Sequence, residues 1–242
     1  MLDRKGKRSR WQAAKGAESA YNSRLLAVAR EIGNIVKGYG PDRPDPLIKA
    51  LEKYSELITP WAKSVAEYMI ADVNRRNERA WKETSQEIGR ALRMEIRHAP
   101  TGEAFTKLMN LQVGLIKSIP LDAAKRVHGL TTEALVTGER AKSIAAEIMA
   151  TEHVSKAKAM LIARTEVART ASVLTESRAR FVGSEGYIWR SSGDGDVRPT
   201  HQEMNGKYVR WDSPPKTDKG VGPYHAGCGP NCRCYPDPVI PE

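Results

Sequence analysis

Phenylalanine is almost missing from this 242-residue chain, which has two Phe and 6% aromatic residues in all. Any core must rest on Leu, Ile, Val, Ala and the five Trp. No apolar run approaches the roughly 18 residues of a membrane span, so no transmembrane helix is expected. The N-terminus is basic (Arg4, Lys5, Lys7, Arg8, Arg10), but no apolar segment follows it, and no secretory signal is expected. No heptad array or internal repeat is evident. Cysteine is scarce too. There are three, an odd number crowded into one window, which argues against a secreted disulfide framework and for synthesis in a reducing cytosol.

The charge is positive and unevenly placed. The net value is +10. Residues 185–242 carry seven Lys/Arg and eight Asp/Glu, so the whole surplus lies in the N-terminal three quarters. A polyanion such as nucleic acid suits that surface, although a slightly basic helical protein would carry it equally well.

Residues 12–182 read as successive helices. Asp45-Pro46 and Thr59-Pro60 each place a capping residue before a first-turn proline. Trp61, Val65, Tyr68 and Met69 recur at helical spacing. A charged stretch from Asn74 to Arg97 contains pairs such as Glu78 and Lys82, four apart, which support an exposed helix. Breaks are expected at Pro100-Thr101-Gly102, Ser118-Ile119-Pro120 and Thr137-Gly138. A last helix is expected over about 154–182, with Met160, Ala163, Val167, Ala171, Leu174 and Phe181 as one buried stripe. Arg164, Arg169, Arg178 and Arg180 fall beside it, as a solvated face or as partners of Glu166 and Glu176. Composition changes at Gly183, after which Gly and Pro are frequent and only 187–189 and 207–211 look like strands. Pro236, Pro238 and Pro241 predict an extended tail. The fold class is therefore α+β: a mostly helical N-terminal region with a small C-terminal β/loop module. We divide it as 1–118, 119–184 and 185–242. The last segment has too few aliphatics to bury much surface alone and needs a metal, a cross-link or the helices behind it.

The cysteines sit where that need is greatest. Cys232 and Cys234 are two apart, so in extended chain their side chains share a face. Cys228 lies four residues earlier, across Gly229-Pro230-Asn231. His201 precedes the Asn205-Gly206 turn. Together His201, Cys228, Cys232 and Cys234 would make a closed structural Zn²⁺ site, with His225 as the alternative fourth ligand. Three reduced cysteines without metal, or one disulfide with a spare thiol, are the competing readings. Asp194 and Asp196 in Gly-Asp-Gly-Asp read as a turn whose side chains bond nearby backbone N–H groups. His98, His128 and His153 are scattered without visible partners.

Four motifs in order carry a resemblance. They are Arg164-Thr165-Glu166 with Arg169; Asp196-Val197-Arg198-Pro199-Thr200-His201; Asn205-Gly206; and Asn231-Cys232-Arg233-Cys234. Across about residues 120–238 the chain resembles the phage Mu F-like head morphogenesis family, minor head proteins of tailed phages and prophages. Gly138-Glu139-Arg140 and the residues after it fit the helix that precedes the Arg-Thr-Glu motif in such proteins. Many members carry a cysteine pair where this chain has Pro199-Thr200-His201, and a His where it has Gly229. The resemblance implies a protein without catalytic residues, placed inside the capsid near the portal vertex after assembly in the host cytoplasm. It implies contacts with portal protein, capsid or scaffold components and packaged DNA, and none with membrane. Two other functions compete. A zinc-dependent hydrolase or nuclease could draw on His201, His225, Glu203 and Asp196. A stand-alone nucleic-acid-binding protein would need a basic surface that the near-neutral tail lacks.

Overall fold

The computed structural model describes residues 9–88, 101–137 and 141–241, with side chains over 9–85, 101–134 and 143–241. The basic run Arg4, Lys5, Lys7 and Arg8, the charged stretch past Ile88, His98 and Gly138–Arg140 lie outside them. The chain forms α1 (Lys15–Tyr39), α2 (Pro44–Leu57), α3 (Thr59–Ile88), α4 (Gly102–Thr137), α5 (Ala141–Met149), α6 (Thr151–Phe181), β1 (Gly186–Arg190), α7 (Pro199–Met204), β2 (Tyr208–Arg210) and β3 (Tyr235–Val239). The expected α+β architecture is what the chain adopts. It divides into two compact units whose boundaries fall inside helices. One comprises 19–68 and 109–163; the other comprises 1–18, 69–108 and 164–242.

The first unit is helical with an aliphatic core that includes Leu25, Ile32, Leu47, Leu51, Ile116 and Ile119. Helix α2 starts at Pro44, not at Pro46, because the ring of Pro44 already sets the first helical φ. Only Ile58, itself in the right-handed region, separates α2 from α3, and its carbonyl accepts from Ala62. Trp61 and Tyr68 are exposed while Val65 is buried. The guanidinium of Arg24 lies 3.8 Å over the Tyr68 ring in a cation–π contact.

Pro120 does not break the chain; it sits inside α4. A proline there removes a backbone donor and crowds the preceding turn. Side-chain donors serve the carbonyls around it. The Ser55 hydroxyl donates to the Lys117 carbonyl at 2.9 Å, Ser118 Oγ to Leu115 at 2.8 Å, and Lys158 Nζ to Ser118 at 3.3 Å. Lys158 is held in place by Asp122.

In the second unit α6 keeps Val167, Ala171 and Leu174 buried. In the first unit its Ala163 is buried, whereas Met160 is 52% exposed; Phe181, at the far end of α6, is 42% exposed. The expected stripe is thus shorter than its periodicity suggested. Arg169 pairs with Glu166 and Arg180 with Glu176, as expected. Arg178 is different: it is buried and donates to Asn77 Oδ1 at 2.5 Å and to Asn74 Oδ1 at 2.8 Å, with Glu78 at 3.3 Å. Burial lowers its pKa and Glu78 opposes that. Glu78 therefore turns to Arg178 and Asn74, and no bond to Lys82 forms.

The sheet is antiparallel with order β2-β1-β3. Tyr187 of β1 faces Val209 on one side and Pro238 on the other. The proline-rich tail is thus a strand. Pro236 and Pro238 are two apart on an edge strand, where a missing N–H on the outward side costs no ladder bond. Gly186 has no room for a side chain: a Cβ there would meet the Val209 carbonyl at 2.4 Å. The module does not bury itself alone. Its Tyr187, Trp189, Val209, Trp211 and Tyr224 share a core with Trp11, Ala80, Trp81, Ala179 and Val182. Trp11 and Trp81 meet edge to face at 5.0 Å, and Tyr187 lies 4.5 Å from Trp211.

Ser55→Ala should lower stability by about 1–2 kcal/mol, because it strips a buried carbonyl of its donor. Arg178→Leu should cost about 2–4 kcal/mol by leaving the buried Asn77 Oδ1 without its donor. Urea melts followed by circular dichroism would measure both.

Candidate metal centre

The centre is built from two places in the chain. Helix α7 has Pro199 in its first turn and carries His201 on its buried side. Asn205 and Gly206 close the turn after it. The Asn205 side chain accepts from the Ser191 N–H at 3.0 Å, and Gly206, with φ +85°, donates its N–H to the Trp189 carbonyl at 2.8 Å. The other two groups come from the stretch leading into β3, where Cys232 and Cys234 are both buried. Their side chains share a face, as the two-residue spacing requires.

His201 Nδ1 lies 3.5 Å from Cys232 Sγ and 3.5 Å from Cys234 Sγ. All three ligating atoms fall within 4.8 Å of one another. Around a tetrahedral Zn²⁺ with bonds of about 2.0–2.3 Å, ligand atoms lie roughly 3.5–3.8 Å apart, so the group is sized for such an ion. The other ring nitrogen is fixed from behind. Tyr224 donates its hydroxyl proton to Asp218 Oδ2 at 2.6 Å, and so receives the His201 Nε2–H, 2.9 Å away. That tautomer leaves Nδ1 as the lone-pair side toward the sulfurs. Outer partners of this kind are what orient a ligating histidine. Asp218 in turn takes Arg198 at 2.9 Å and Thr200 at 3.1 Å. Burial pushes its carboxyl up, but Tyr224, Arg198 and Thr200 prevail and hold it below the ordinary range. Burial and the bond to Asp218 push the Tyr224 hydroxyl up to about 12.

The sulfurs form a matched pair. The Cys234 thiol, as donor, brings the Cys232 thiol well below its usual range against the effect of burial. Cys234, facing that charge, is pushed up. The Trp189 indole and the Ser192 backbone oppose that rise. The buried Trp189 indole N–H has no hydrogen-bond partner. A sulfur carrying negative charge is the acceptor that such an orphaned donor fits. The residues present therefore suit a metal held by two thiolates and an imidazole, and the buried His201, Cys232 and Cys234 could hold one.

The other two expected ligands lie elsewhere. Cys228 is not in the group. Its sulfur is beside the Ser172 hydroxyl, and burial pushes its thiol up to about 11. Its carbonyl accepts from Arg169 Nη2 at 2.8 Å and Nε at 3.3 Å. His225 is engaged at both nitrogens, with Tyr187 Oη at 3.2 Å and the Trp211 carbonyl at 3.1 Å. Burial lowers its pKa.

The Arg-Thr-Glu motif holds the cysteine loop onto α6. Thr165 Oγ1 accepts the Asn231 N–H at 2.9 Å, and Arg164 donates to Asn231 Oδ1 at 3.1 Å. Asn231 has φ +55°, which asparagine tolerates better than most side chains. Glu166 is buried and anchors Arg169 at 2.7 Å. Asp196 forms the expected turn, in which the Asp194 carboxylate accepts the Asp196 N–H. Arg233 then bridges Asp194 and Asp196, each at 3.0 Å. Tyr224, Asp218 and Ser172 were missed in the sequence. The pattern Asp218…Tyr224…His225 gave no sign that Tyr224 would serve His201.

Residues 125–236 match the family described as Phage Mu protein F like protein. Over that region, a little under half of its length, the chain is similar to the Mu F-like proteins. An uncharacterised protein of Haemophilus influenzae is 30% identical over 208 residues, covering 84% of this chain and 45% of the relative. The chain thus spans less than half of that relative's length. No solved structure matches. No helix among the described residues is long and apolar enough to cross a membrane.

Thr165→Val should cost about 1–2 kcal/mol by orphaning the Asn231 N–H, with the far-UV spectrum unchanged. The pH dependence has a definite sign. The folded-state pKa of His225 is depressed, so its contribution is complete above the ordinary value of about 6.5 and is lost as pH falls below it. In chelator, the melting temperature should drop between about pH 7 and pH 5, and His225→Gln should flatten that slope.

Proposed function

We propose that this protein is a phage minor head protein acting in capsid assembly, DNA packaging or ejection. It sits inside the capsid near the portal vertex and contacts portal protein, capsid or scaffold components and packaged DNA. The observation that carries this reading is the match of residues 125–236 to the Mu F-like family. The net charge of +10 supports the DNA contact, which would be sequence-independent and salt-sensitive. In this reading one Zn²⁺ on His201, Cys232 and Cys234 staples the C-terminal module, and its binding free energy adds to folding. No residue is assigned a catalytic role.

A second reading, hydrolysis at the metal, is favoured by one observation: three protein ligands, not four, converge there. Catalytic zinc sites share that count. A DNA-cleavage assay with Zn²⁺ or Mg²⁺, repeated on His201→Ala, distinguishes the two; the structural reading expects no cleavage by either protein.

Two measurements test the proposal. Crosslinking within purified capsids should join this protein to the portal protein; its absence from capsids and their precursors would defeat the head-protein reading. Elemental analysis of purified protein should find about one zinc per chain. That zinc should be lost in Cys232→Ser and His201→Ala and kept in Cys228→Ser.

A further inference from the structure

The expected closed set of four ligands is incomplete as folded, and the missing side of the cluster faces a cavity. That cavity measures about 40 Å³ and touches His201, Cys232 and Cys234. A water needs only about 10–15 Å³ by such a measure, so one small ligand fits beside an ion. Its remaining walls are Ser192, Asp196, Val197, Arg198, Asn231 and Arg233. Of the two side chains that could have closed the centre, Cys228 lies outside the group and His225 is engaged by Tyr187 and Trp211. Among the described residues no fourth His, Cys, Asp or Glu joins the group.

We infer that a metal held by His201, Cys232 and Cys234 keeps its fourth position open to this cavity, and that the position takes a small anion or water from outside the chain. The inference rests on the metal reading above. Charge favours an anion. Two thiolates and a neutral imidazole cancel a divalent cation, so an added anion brings one negative charge between Arg198 and Arg233. Arg233 is already shared by Asp194 and Asp196 at 3.0 Å each, and the Asp196 side chain, also at the cavity wall, is 82% exposed and open to solvent screening. Arg198 is tied to Asp218 and to the Pro230 carbonyl, which fixes it at the cavity wall. The walls can thus hold a bound anion without rebuilding.

The test uses the full chain loaded with Co²⁺ and titrated with azide. Co²⁺ on this site should show thiolate charge-transfer bands and tetrahedral visible bands, both absent in His201→Ala. Azide should shift the visible bands saturably, and Arg233→Gln should weaken that binding severalfold. Cys228→Ser should leave both the cobalt spectrum and the azide shift unchanged. Bands that azide does not move would overturn the open position while leaving the metal site standing. A spectrum altered by Cys228→Ser would overturn it as well, by showing Cys228 as the fourth ligand. Failure to bind Co²⁺ or Zn²⁺ at all would overturn the metal reading itself.

Discussion

The loop from Ala226 to Cys232 has no strand or helix to satisfy its backbone, and several of its polar groups find partners on α6. Arg169 meets the Cys228 carbonyl with two nitrogens, and the Ser172 hydroxyl donates to the Ala226 carbonyl at 2.7 Å. Thr165 accepts the N–H of Asn231. These bonds decide where Cys232 and Cys234 can lie. Once the loop is docked, the sulfurs face His201, and the hydrogen-bonded series from His201 through Tyr224 to Asp218 follows. The Arg-Thr-Glu motif and the Cys-Arg-Cys motif, about 65 residues apart in sequence, are therefore the two halves of one contact.

Glycine sets the tolerance of that contact. A Cβ at Gly227, whose φ is +83°, would meet the Cys234 carbonyl at 2.9 Å and the Ala168 carbonyl at 3.3 Å. The loop therefore lies against α6 backbone to backbone, with no side chain between. Such close approach exposes carbonyls to a dry environment, and the arginine and serine donors offset that cost.

Much of this was legible in the sequence. The Trp189 and Trp211 segments read as strands, the Asn205-Gly206 pair read as a turn, and Cys232 with Cys234 read as two groups on one face. Each of those signals is local, fixed by φ preference or by the two-residue period. What was hidden depends on distant partners. Cys228 is a cysteine in a cysteine cluster, and nothing near it in sequence reveals that it folds apart from the other two. Pro120 looks like a helix break unless Ser55 and Lys158 are known to serve the carbonyls beside it. Arg178 looks like a surface charge until Asn74 and Asn77 arrive from α3. The prolines of the tail forbid a central strand but not an edge, and only the sheet order separates the two.

The unit that carries the centre is drawn from three stretches of chain, with Trp11 and Trp81 in the same core as Trp189 and Trp211. A chain growing from its N-terminus makes Trp11 and Trp81 well before Trp189 and Trp211. Until those later residues emerge, the indoles of Trp11 and Trp81 lack the aromatic surface that covers them, and long-range closure of this kind is slow. During synthesis those two tryptophans are the apolar surface most in need of shielding, whether by a chaperone or by another copy of the chain.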